Sequence, residues 1–288
     1  IKKKVKEVWL SRNNDDRLGI DHKMQSDVPA SIQTENVSLP DPTELVNLPT
    51  KGKFYPKENS LHGKEYLEIR YMKTRDEEIL NNKTFLQKGI ALDKMVQGLI
   101  VDKKIKIDDL YVGDKNALVL AARISGFGEE YSPSVTCPNC GHASKKDFDL
   151  TSVETKELDE SVKISEAGTF DIEIPGTKDV VEVRLLNGNH EKDLKLISEK
   201  RKRNKLPENT IAEQLKMMIV SINSNPGREV IEQFVDNLRS IHSLHLREEY
   251  TRCTPNINLK QNFECPSCFA ENEITIPFTA EFFWPGRR

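Results

Sequence analysis

The pattern of apolar and polar residues divides the chain into a first segment without hydrophobic periodicity and a longer body in which apolar residues recur periodically. Residues 1–47 are polar and loop-like, apart from a short basic-amphipathic start that contains Trp9 and Leu10. This composition is typical of a flexible terminus, or of an extended arm that becomes ordered only on a partner's surface. Under the second hypothesis Trp9 and Leu10 are partner-binding anchors, and folded structure begins near Leu48.

The first half of the body has mainly helical periodicity. Apolar residues recur three and four positions apart, in segments that open with capping residues and close with glycine. The predicted elements are a strand at Tyr66–Met72, a helix from a Thr74–Glu77 capping box to about Leu80, a helix at Ile90–Val101, and a helix capped by Asp114 and ended by Gly126 and Gly128.

The second half begins with strand-like alternation and then returns to helices. A β-hairpin or small meander is predicted at Val162–Leu186, with its turn at Pro175–Gly176. The end of the chain is again β-like and rich in aromatic residues. The predicted helices run from His190 to about Lys202, from Ile211 to Ile222 after a Thr210–Glu213 capping box, from Val230 to Leu238, and from there to about Tyr250.

Composition and charge narrow the class of protein. Hydrophobic residues make up 36% of the chain and charged residues 31%, so a core can form while some segments stay solvated or rest on a partner. Lys and Arg number 43 against 46 Asp and Glu, a net charge of −3 that excludes a general polyanion binder. No apolar run approaches the roughly 18 residues that a membrane span needs, so we expect no membrane partner.

Four of the five cysteines form two C-x-x-C pairs, Cys137 with Cys140 and Cys265 with Cys268. Because no signal-peptide pattern opens the sequence, this arrangement favours a metal site over a disulfide framework. Each pair lies between short extended segments, as in a zinc knuckle, where a tight turn directs two thiolates at one ion. Two facing knuckles complete a thiolate tetrahedron, so we expect one structural zinc ion per chain, bound by these four cysteines.

Other interpretations of the cysteines stay open. Iron suits a cage of four thiolates equally well, so it is a second candidate for the metal. A thioredoxin-type pair is expected at the start of a helix, whereas charged, strand-like residues follow each pair here. His142 could in principle ligate, although four cysteines already fill the shell, and Cys253 is expected to be an inert free thiol.

The spacing of the two pairs is unusual. Between Cys140 and Cys265 lie 124 residues, far more than the roughly 15–20 of a compact zinc ribbon. The residues between the two pairs are therefore an insertion within a zinc ribbon, or the zinc ribbon holds a domain in its closed form. Closing so long a loop with a metal is entropically favourable for the folded state.

The predicted fold class is α+β. A mostly helical body carries a small β-hairpin or meander insert and a zinc-ribbon-like module made of the two distant pairs, and an extended N-terminal arm precedes it. The predicted segments are the arm at 1–47, an N-terminal α/β body at 48–135, the first knuckle with a linker at 136–160, a β-hairpin plus helical domain at 161–255, and the second knuckle with an aromatic tail at 256–288.

Two further features are candidates for partner contacts. The basic run Lys195–Lys205 lies at a predicted helix end, where cations complement the helix dipole, but it could also contact nucleic acid or an acidic protein surface. The aromatic residues Phe282, Phe283 and Trp284 near the chain end are either core residues or an interface with a partner. The sequence contains no Ser-His-Asp order, phosphate-binding glycine loop or H-E-x-x-H motif, so an enzyme is not expected.

Several blocks together resemble the baseplate hub protein family of contractile-tailed bacteriophages, the T-even-type base plate protein. The blocks span roughly residues 48 to 285 and leave the arm outside. They are LPTKGKFYP (Leu48–Pro56), IRYMKTRDEEIL (Ile69–Leu80), GDKNALVLAARISGFGEEY (Gly113–Tyr131), VTCPNCGH (Val135–His142), FVDNLRSIHSLHLREEY (Phe234–Tyr250), FECPSCF (Phe263–Phe269) and FFWP (Phe282–Pro285).

The resemblance implies a non-enzymatic protein that builds or helps to form the hub at the tail tip. Its expected neighbours are other baseplate hub, spike, tail tube or tape measure proteins. Its expected location is the virion tail baseplate, assembled in the cytoplasm of the bacterial host. The alternative function is a nucleic-acid-binding zinc-ribbon protein, which the acidic residues Glu264, Glu271 and Glu273 around the second pair disfavour.

Overall fold

The computed structural model describes residues 41–159, 161–276 and 280–283. Within these ranges the chain has an α+β fold, with eight helices and small antiparallel sheets. The predicted anchors Trp9 and Leu10 and the aromatic residue Trp284 lie outside the described residues.

The first elements are a two-stranded sheet and four helices. The strands are antiparallel, with Leu45 opposite Glu68 and Val46 opposite Leu67. Because side chains alternate along a strand, Val46 and Leu67 are buried, while Leu45 and Glu68 are exposed. The elements are β1 (Thr43–Asn47), β2 (Tyr66–Arg70), α1 (Thr74–Asn81), α2 (Lys83–Lys88), α3 (Ala91–Leu99) and α4 (Val112–Phe127), with a 3₁₀ turn at Ile107–Asp109 before α4.

Short strands follow α4 and pair mostly with near neighbours in the sequence. They are β3 (Glu130–Tyr131), β4 (Ser134–Thr136), β5 (Ala143–Lys145), β6 (Phe148–Asp149), β7 (Thr155–Lys156), β8 (Thr169–Glu173) and β9 (Val180–Arg184), with a 3₁₀ turn at Leu150–Ser152. Strand β3 pairs with β6, β4 with β5, and β8 with β9, all antiparallel. The β8–β9 pair confirms the hairpin predicted around Pro175–Gly176.

The last elements of the chain pack against the first ones. They are α5 (Gly188–Arg203), α6 (Thr210–Met218), β10 (Ile219–Ile222), α7 (Arg228–Asn237), α8 (Ser240–Cys253), β11 (Asn256–Ile257), β12 (Lys260–Glu264), β13 (Glu271–Thr275) and a 3₁₀ turn at Ala280–Phe283. Strand β10 extends the hairpin into a three-stranded sheet with the order β10-β9-β8. Strand β11 pairs with β7, and β12 pairs with β13.

Two large clusters of buried apolar side chains form the core. The first surrounds α3 and α4, and it takes in Ile257, Ile276, Phe282 and Phe283 from the end of the chain. The second lies under the three-stranded sheet, between it and helices α6, α7 and α8. The C-terminal segment is thus packed into the core that the N-terminal elements build.

Two predicted boundaries are wrong. The predicted arm ended at residue 47, but Thr43–Asn47 form strand β1, which β2 stabilises through its backbone hydrogen bonds. The helix predicted at Ile211–Ile222 ends at Met218, and Ile219–Ile222 become a strand because a free edge of β9 accepts them. The β-branched residues of that segment suit a strand once a sheet partner is present.

Three predicted helix caps are also wrong. Helix α6 begins after Asn209, so the Thr210–Glu213 box does not form. Helix α1 begins after Lys73, whose N–H donates to the carboxylate of Asp76 at 2.9 Å, so the Thr74–Glu77 box does not form. Helix α4 begins at Val112, and Asp114 is buried inside its first turn rather than capping it. Asp114 instead accepts hydrogen bonds from the hydroxyls of Thr50 and Tyr55, each at 2.7 Å. These bonds fasten the loop after β1 onto α4.

Candidate metal centre

Two β-hairpins bring the four paired cysteines together. Strands β4 and β5 flank the turn that holds Cys137 and Cys140, with Thr136 opposite Ala143. Strands β12 and β13 flank the turn that holds Cys265 and Cys268, with Glu264 opposite Glu271. The extended segments predicted around each pair are therefore present.

The two turns have the same backbone hydrogen bonds. In the first, the N–H of Cys137 donates to the carbonyl of His142 and the N–H of Gly141 donates to the carbonyl of Cys137, both at 2.9 Å. In the second, Cys265 N–H donates to Ala270 at 3.1 Å and Phe269 N–H donates to Cys265 at 2.9 Å. The repeated pattern gives both turns the same local conformation, with two sulfur atoms on one side.

The four sulfur atoms lie at the spacing of a metal-binding tetrahedron. The Sγ atoms of Cys137 and Cys268 are 3.8 Å apart, and those of Cys140 and Cys265 are 3.7 Å apart. All four lie within 4.8 Å of one another, and the cysteines are free thiols. A tetrahedron with metal–sulfur bonds of about 2.3 Å has edges of about 3.8 Å, so the four residues fit one ion.

Two of the four thiols, Cys265 and Cys140, have pKa values shifted in opposite directions. The backbone N–H groups of Cys268 and Ser267, against the effect of burial, lower the pKa of the Cys265 thiol to about 6. The N–H of His142 lowers the pKa of Cys140, but the hydrogen bonds that the Cys140 thiol donates to the neighbouring sulfur atoms, together with burial, outweigh it and raise that pKa to about 12. A bound cation removes this conflict because it favours the thiolate form of every ligand.

Two asparagine side chains near the sulfur atoms were not predicted from the sequence. The amide of Asn272 lies 3.9 Å from Cys137 Sγ, and the amide of Asn139 lies 4.0 Å from Cys268 Sγ. Amide N–H groups directed at sulfur stabilise the thiolate form. Asn139 lies inside the first C-x-x-C pair, but Asn272 lies on β13, and only the tertiary structure brings it to the cluster.

The remaining candidates from the sequence lie outside this cluster. His142 is exposed and does not belong to the group of described residues that could bind a metal. Cys253 is buried in the second core cluster, where burial raises the pKa of its thiol, as an inert cysteine requires. The basic run Lys195–Lys205 occupies the second half of α5 and the two residues after it, and its residues Lys200–Arg203 form the last turn, where positive charge complements the helix dipole.

The described aromatic residues of the tail, Phe282 and Phe283, pack in the core, which is the first of the two alternatives that the sequence left open for them. Both side chains are fully buried in this chain. The ring of Phe282 packs edge-on against Tyr131 at 4.9 Å, and that of Phe283 packs against Phe127 at 6.1 Å. Large aromatic rings near a chain end are as suitable for closing a core as for binding a partner, and α4 supplies the surface that they cover.

A buried arginine holds this aromatic segment, and sequence analysis did not single it out. Arg123 on α4 is almost completely buried and donates to the carbonyl oxygen of Phe282 at 2.7 Å. It also donates to the carbonyls of Gly128 at 2.5 Å and Glu130 at 2.7 Å. Burial lowers its pKa, while the carbonyl oxygens satisfy its N–H groups. The guanidinium therefore ties the chain end to α4 and to the loop after it.

Comparison with known proteins identifies the family. The T4 bacteriophage base plate protein family matches residues 43–284, which include β1, both cysteine hairpins and the buried aromatic segment. The chain belongs to this family. No curated protein and no solved structure matched the chain.

Membership of the T4 bacteriophage base plate protein family confirms the resemblance found in the sequence. It supports a structural role in a phage baseplate, a location in the virion tail, and contacts with other baseplate or tail proteins. The family match starts at Thr43, the first residue of β1. In the described part of the chain, no helix is both long and apolar enough to cross a membrane.

Proposed function

We propose that this base plate protein is a non-enzymatic structural or assembly component of the baseplate hub, stabilised by one zinc ion on Cys137, Cys140, Cys265 and Cys268. The observation that carries the proposal is the cluster of four sulfur atoms, which joins two hairpins far apart in the sequence of a baseplate family member. The blocks that resemble hub proteins support the hub within the baseplate. The proposed neighbours are other hub proteins and the spike, tail tube or tape measure proteins.

The donor set supports a structural ion rather than a catalytic one. Four thiolates complete the shell of zinc and leave no position for water or substrate. Cys137 and Cys265 are buried beside Phe263, so the ion would form part of a small core between the two hairpins. Because the hairpins approach each other only in the folded chain, the free energy of metal binding would contribute to folding.

The metal proposal is tested by elemental analysis of the purified full chain. We expect one zinc per chain, because the four sulfur atoms form one tetrahedron, and we expect no visible absorption. Iron in the same cage would give a coloured protein, so an absorption spectrum distinguishes the two metals. Reduced protein that binds neither metal when reconstituted would contradict the proposal.

The hub proposal is tested by complementation of a phage that lacks this protein. Cys265→Ser removes one ligand, and we expect it to abolish zinc retention and to reduce the yield of complete baseplates. Cys253→Ala is the matched control, since it also removes a buried thiol but lies in the other core cluster. Normal assembly by Cys265→Ser would contradict a role of the metal, and normal hubs without the protein would contradict its place there.

The acidic surface of the second hairpin supports a protein partner over the alternative nucleic-acid partner. Glu264, Glu271 and Glu273 are all on β12 and β13 and are exposed. Phosphates would be repelled there, whereas zinc ribbons that bind nucleic acid need positive charge. Binding of DNA or RNA that weakens steeply with added salt would favour the alternative instead.

A further inference from the structure

Strand β1 has an unpaired edge. The N–H of Tyr71 donates to the carbonyl of Pro42 at 3.1 Å, and the N–H of Leu48 donates to the carbonyl of Glu65 at 2.8 Å. These two bonds, at either end of β1, determine which residues of β1 direct their backbone groups toward β2. In an antiparallel pair of this register, every second residue of β1 exchanges hydrogen bonds with β2. The residues of β1 that do not exchange hydrogen bonds with β2 are Thr43, Leu45 and Asn47. Their N–H and C=O groups therefore point away from β2. These backbone groups have no hydrogen-bond partner among the described residues.

The outer edges of the other five-residue edge strands of the described structure are closed or carry charge. The far side of β2 is occupied, since Glu68 accepts from the N–H of Val101 at 3.2 Å. On β8, the carbonyl of Thr169 accepts from Ser165 and the carbonyl of Glu173 contacts His245, with Asp171 between them. The outward positions of β12 and β13 include charged side chains, namely Lys260, Glu264, Glu271 and Glu273.

Edge strands normally carry charges, prolines or bulges that prevent pairing with another chain. Strand β1 has none of these at its outward positions, and its pairing with β2 is regular over five residues. Its one charged residue, Glu44, is half-buried on the side that faces the core. On the opposite side Leu45 is 69% exposed and Tyr66 of the neighbouring strand is 51% exposed. The edge thus combines free backbone groups with one exposed apolar side chain, Leu45, and the exposed Glu68 lies directly opposite Leu45 on β2.

We propose that β1 pairs with β1 of a second copy of this chain, antiparallel and with Leu45 on the two-fold axis. In this register Thr43 lies opposite Asn47 of the second copy, and Glu44 lies opposite Val46 of the second copy. No like charges oppose each other, and the two Leu45 side chains meet. The result is a four-stranded sheet with β2 at each end, on which the two Leu45 side chains contact each other between the two Glu68 side chains. A two-fold contact of this kind is the commonest way in which identical chains associate.

The expected dimer is weak. Pairing of two five-residue strands, with one exposed apolar side chain, Leu45, from each copy, buries less than the roughly 1,200 Å² of a standard stable interface. We therefore expect a monomer–dimer equilibrium that depends on protein concentration. In a baseplate, neighbouring contacts would raise the effective concentration and favour the paired state.

Sedimentation equilibrium of the full chain, from the micromolar to the millimolar range, measures this association. Leu45→Lys puts two positive charges opposite each other on the axis, so we expect the dissociation constant to rise at least tenfold. Leu196→Lys is the matched control, because Leu196 is also exposed, at 62%, but lies on α5. A wild-type chain that stays monomeric throughout, or a dimer that Leu45→Lys leaves intact, would overturn the proposal.

Cysteine crosslinking tests the register, with the oxidised wild-type protein as the blank for the native thiols. Residues in a hydrogen-bonded antiparallel pair have Cα atoms about 5.5 Å apart, within the range that a disulfide spans. Leu45→Cys should therefore give a covalent dimer. Thr43→Cys alone should give none, whereas an equal mixture of Thr43→Cys and Asn47→Cys should crosslink. A crosslink formed by Thr43→Cys alone would overturn this register.

The inference does not rest on the zinc ion or on the hub. Leu45 lies in a different part of the fold from the four cysteines, so Leu45→Lys should keep the full metal content of the wild type. Failure of dimerisation with intact metal binding would overturn only the strand pairing. Absence of metal with intact dimerisation would overturn only the proposed structural ion.

Discussion

At the scale of single residues, the two cysteine turns differ where the first has Gly141 and the second has Phe269. Both residues have a positive φ, 74° and 57°, which favours glycine. Phe269 is 73% exposed, so packing offsets little of this backbone cost. We expect Gly141→Ala to lower the free energy of unfolding by about 1 kcal/mol and Phe269→Gly to leave it unchanged or raise it slightly. Urea unfolding of the metal-loaded variants measures both, and a clear loss in Phe269→Gly would show that the phenyl ring stabilises the fold.

A second residue-scale prediction concerns the buried carboxyl group of Asp114. Burial raises its pKa above the ordinary value of 3.8, although hydrogen bonds from Tyr55 and Thr50 lower it. The protonated form is therefore favoured by folding, and this stabilisation is lost as the pH rises through the raised pKa. Asp114→Asn cannot ionise, so wild type should lose stability relative to this variant as the pH rises from about 4. Chemical unfolding over a pH series measures the difference, and a constant difference would contradict the raised pKa.

At the scale of elements, one buried ion pair joins β2 to the start of α1. Arg70 and Asp76 form two hydrogen bonds, at 2.7 and 2.8 Å, and Arg70 also donates to the carbonyl of Gly98 on α3. Their side chains are only 10% and 2% exposed. Although burial raises the pKa of Asp76, the hydrogen bonds from Arg70 and the N–H of Lys73 lower it overall. The pair therefore fixes the relative positions of three elements.

Breaking this pair should be costly. Asp76→Asn leaves the Arg70 charge buried without a counter-charge, so we expect a loss of about 3–5 kcal/mol in the free energy of unfolding. Glu199→Gln is the matched control, because its pair with Arg203 on α5 is exposed and should contribute less than about 1 kcal/mol. Since the pKa of Asp76 is lowered, its contribution should be present above pH 4 or so and disappear as the pH falls. Equal effects of the two substitutions in urea unfolding would contradict this assignment.

At the scale of the whole molecule, the C-terminal segment is held in two independent ways. The cysteine cluster joins β12–β13 to β4–β5, while Phe282 and Phe283 are buried beside Arg123 on α4. Removing the proposed metal ion with a chelator should therefore speed hydrogen exchange in the four strands of the two hairpins. The segment at Phe282 should stay protected, because its packing and its hydrogen bond do not involve the metal.

The converse substitution separates the two attachments. Phe282→Ala should cost about 3–5 kcal/mol, as for a buried aromatic residue, while the folded protein keeps its metal. Hydrogen exchange and elemental analysis of the same sample measure both properties. Loss of metal in folded Phe282→Ala, or loss of protection at Phe282 on chelation, would show that the two attachments form a single cooperative unit.

The sequence predicted features that depend on neighbouring residues better than features that depend on residues far apart in the chain. Local periodicity predicted the β8–β9 hairpin and most helices, because the alternation of apolar residues is set by neighbours in the chain. It failed at Ile219–Ile222, where a strand replaced the end of a helix because β9 was available as a partner. It also failed at Asp114, a typical capping residue that is buried because Thr50 and Tyr55 meet it there.

The sequence by itself determined which residues could bind a metal and the family to which the chain belongs. Two C-x-x-C pairs are a local pattern, since each tight turn directs its own two sulfur atoms. Only the tertiary structure decided that the two turns meet, with sulfur atoms of Cys137 and Cys268 at 3.8 Å. It alone decided that Phe282 and Phe283 close a core and that β1 keeps a free edge. Burial and strand pairing depend on contacts between residues far apart in the chain, which no local pattern of apolar and polar positions specifies.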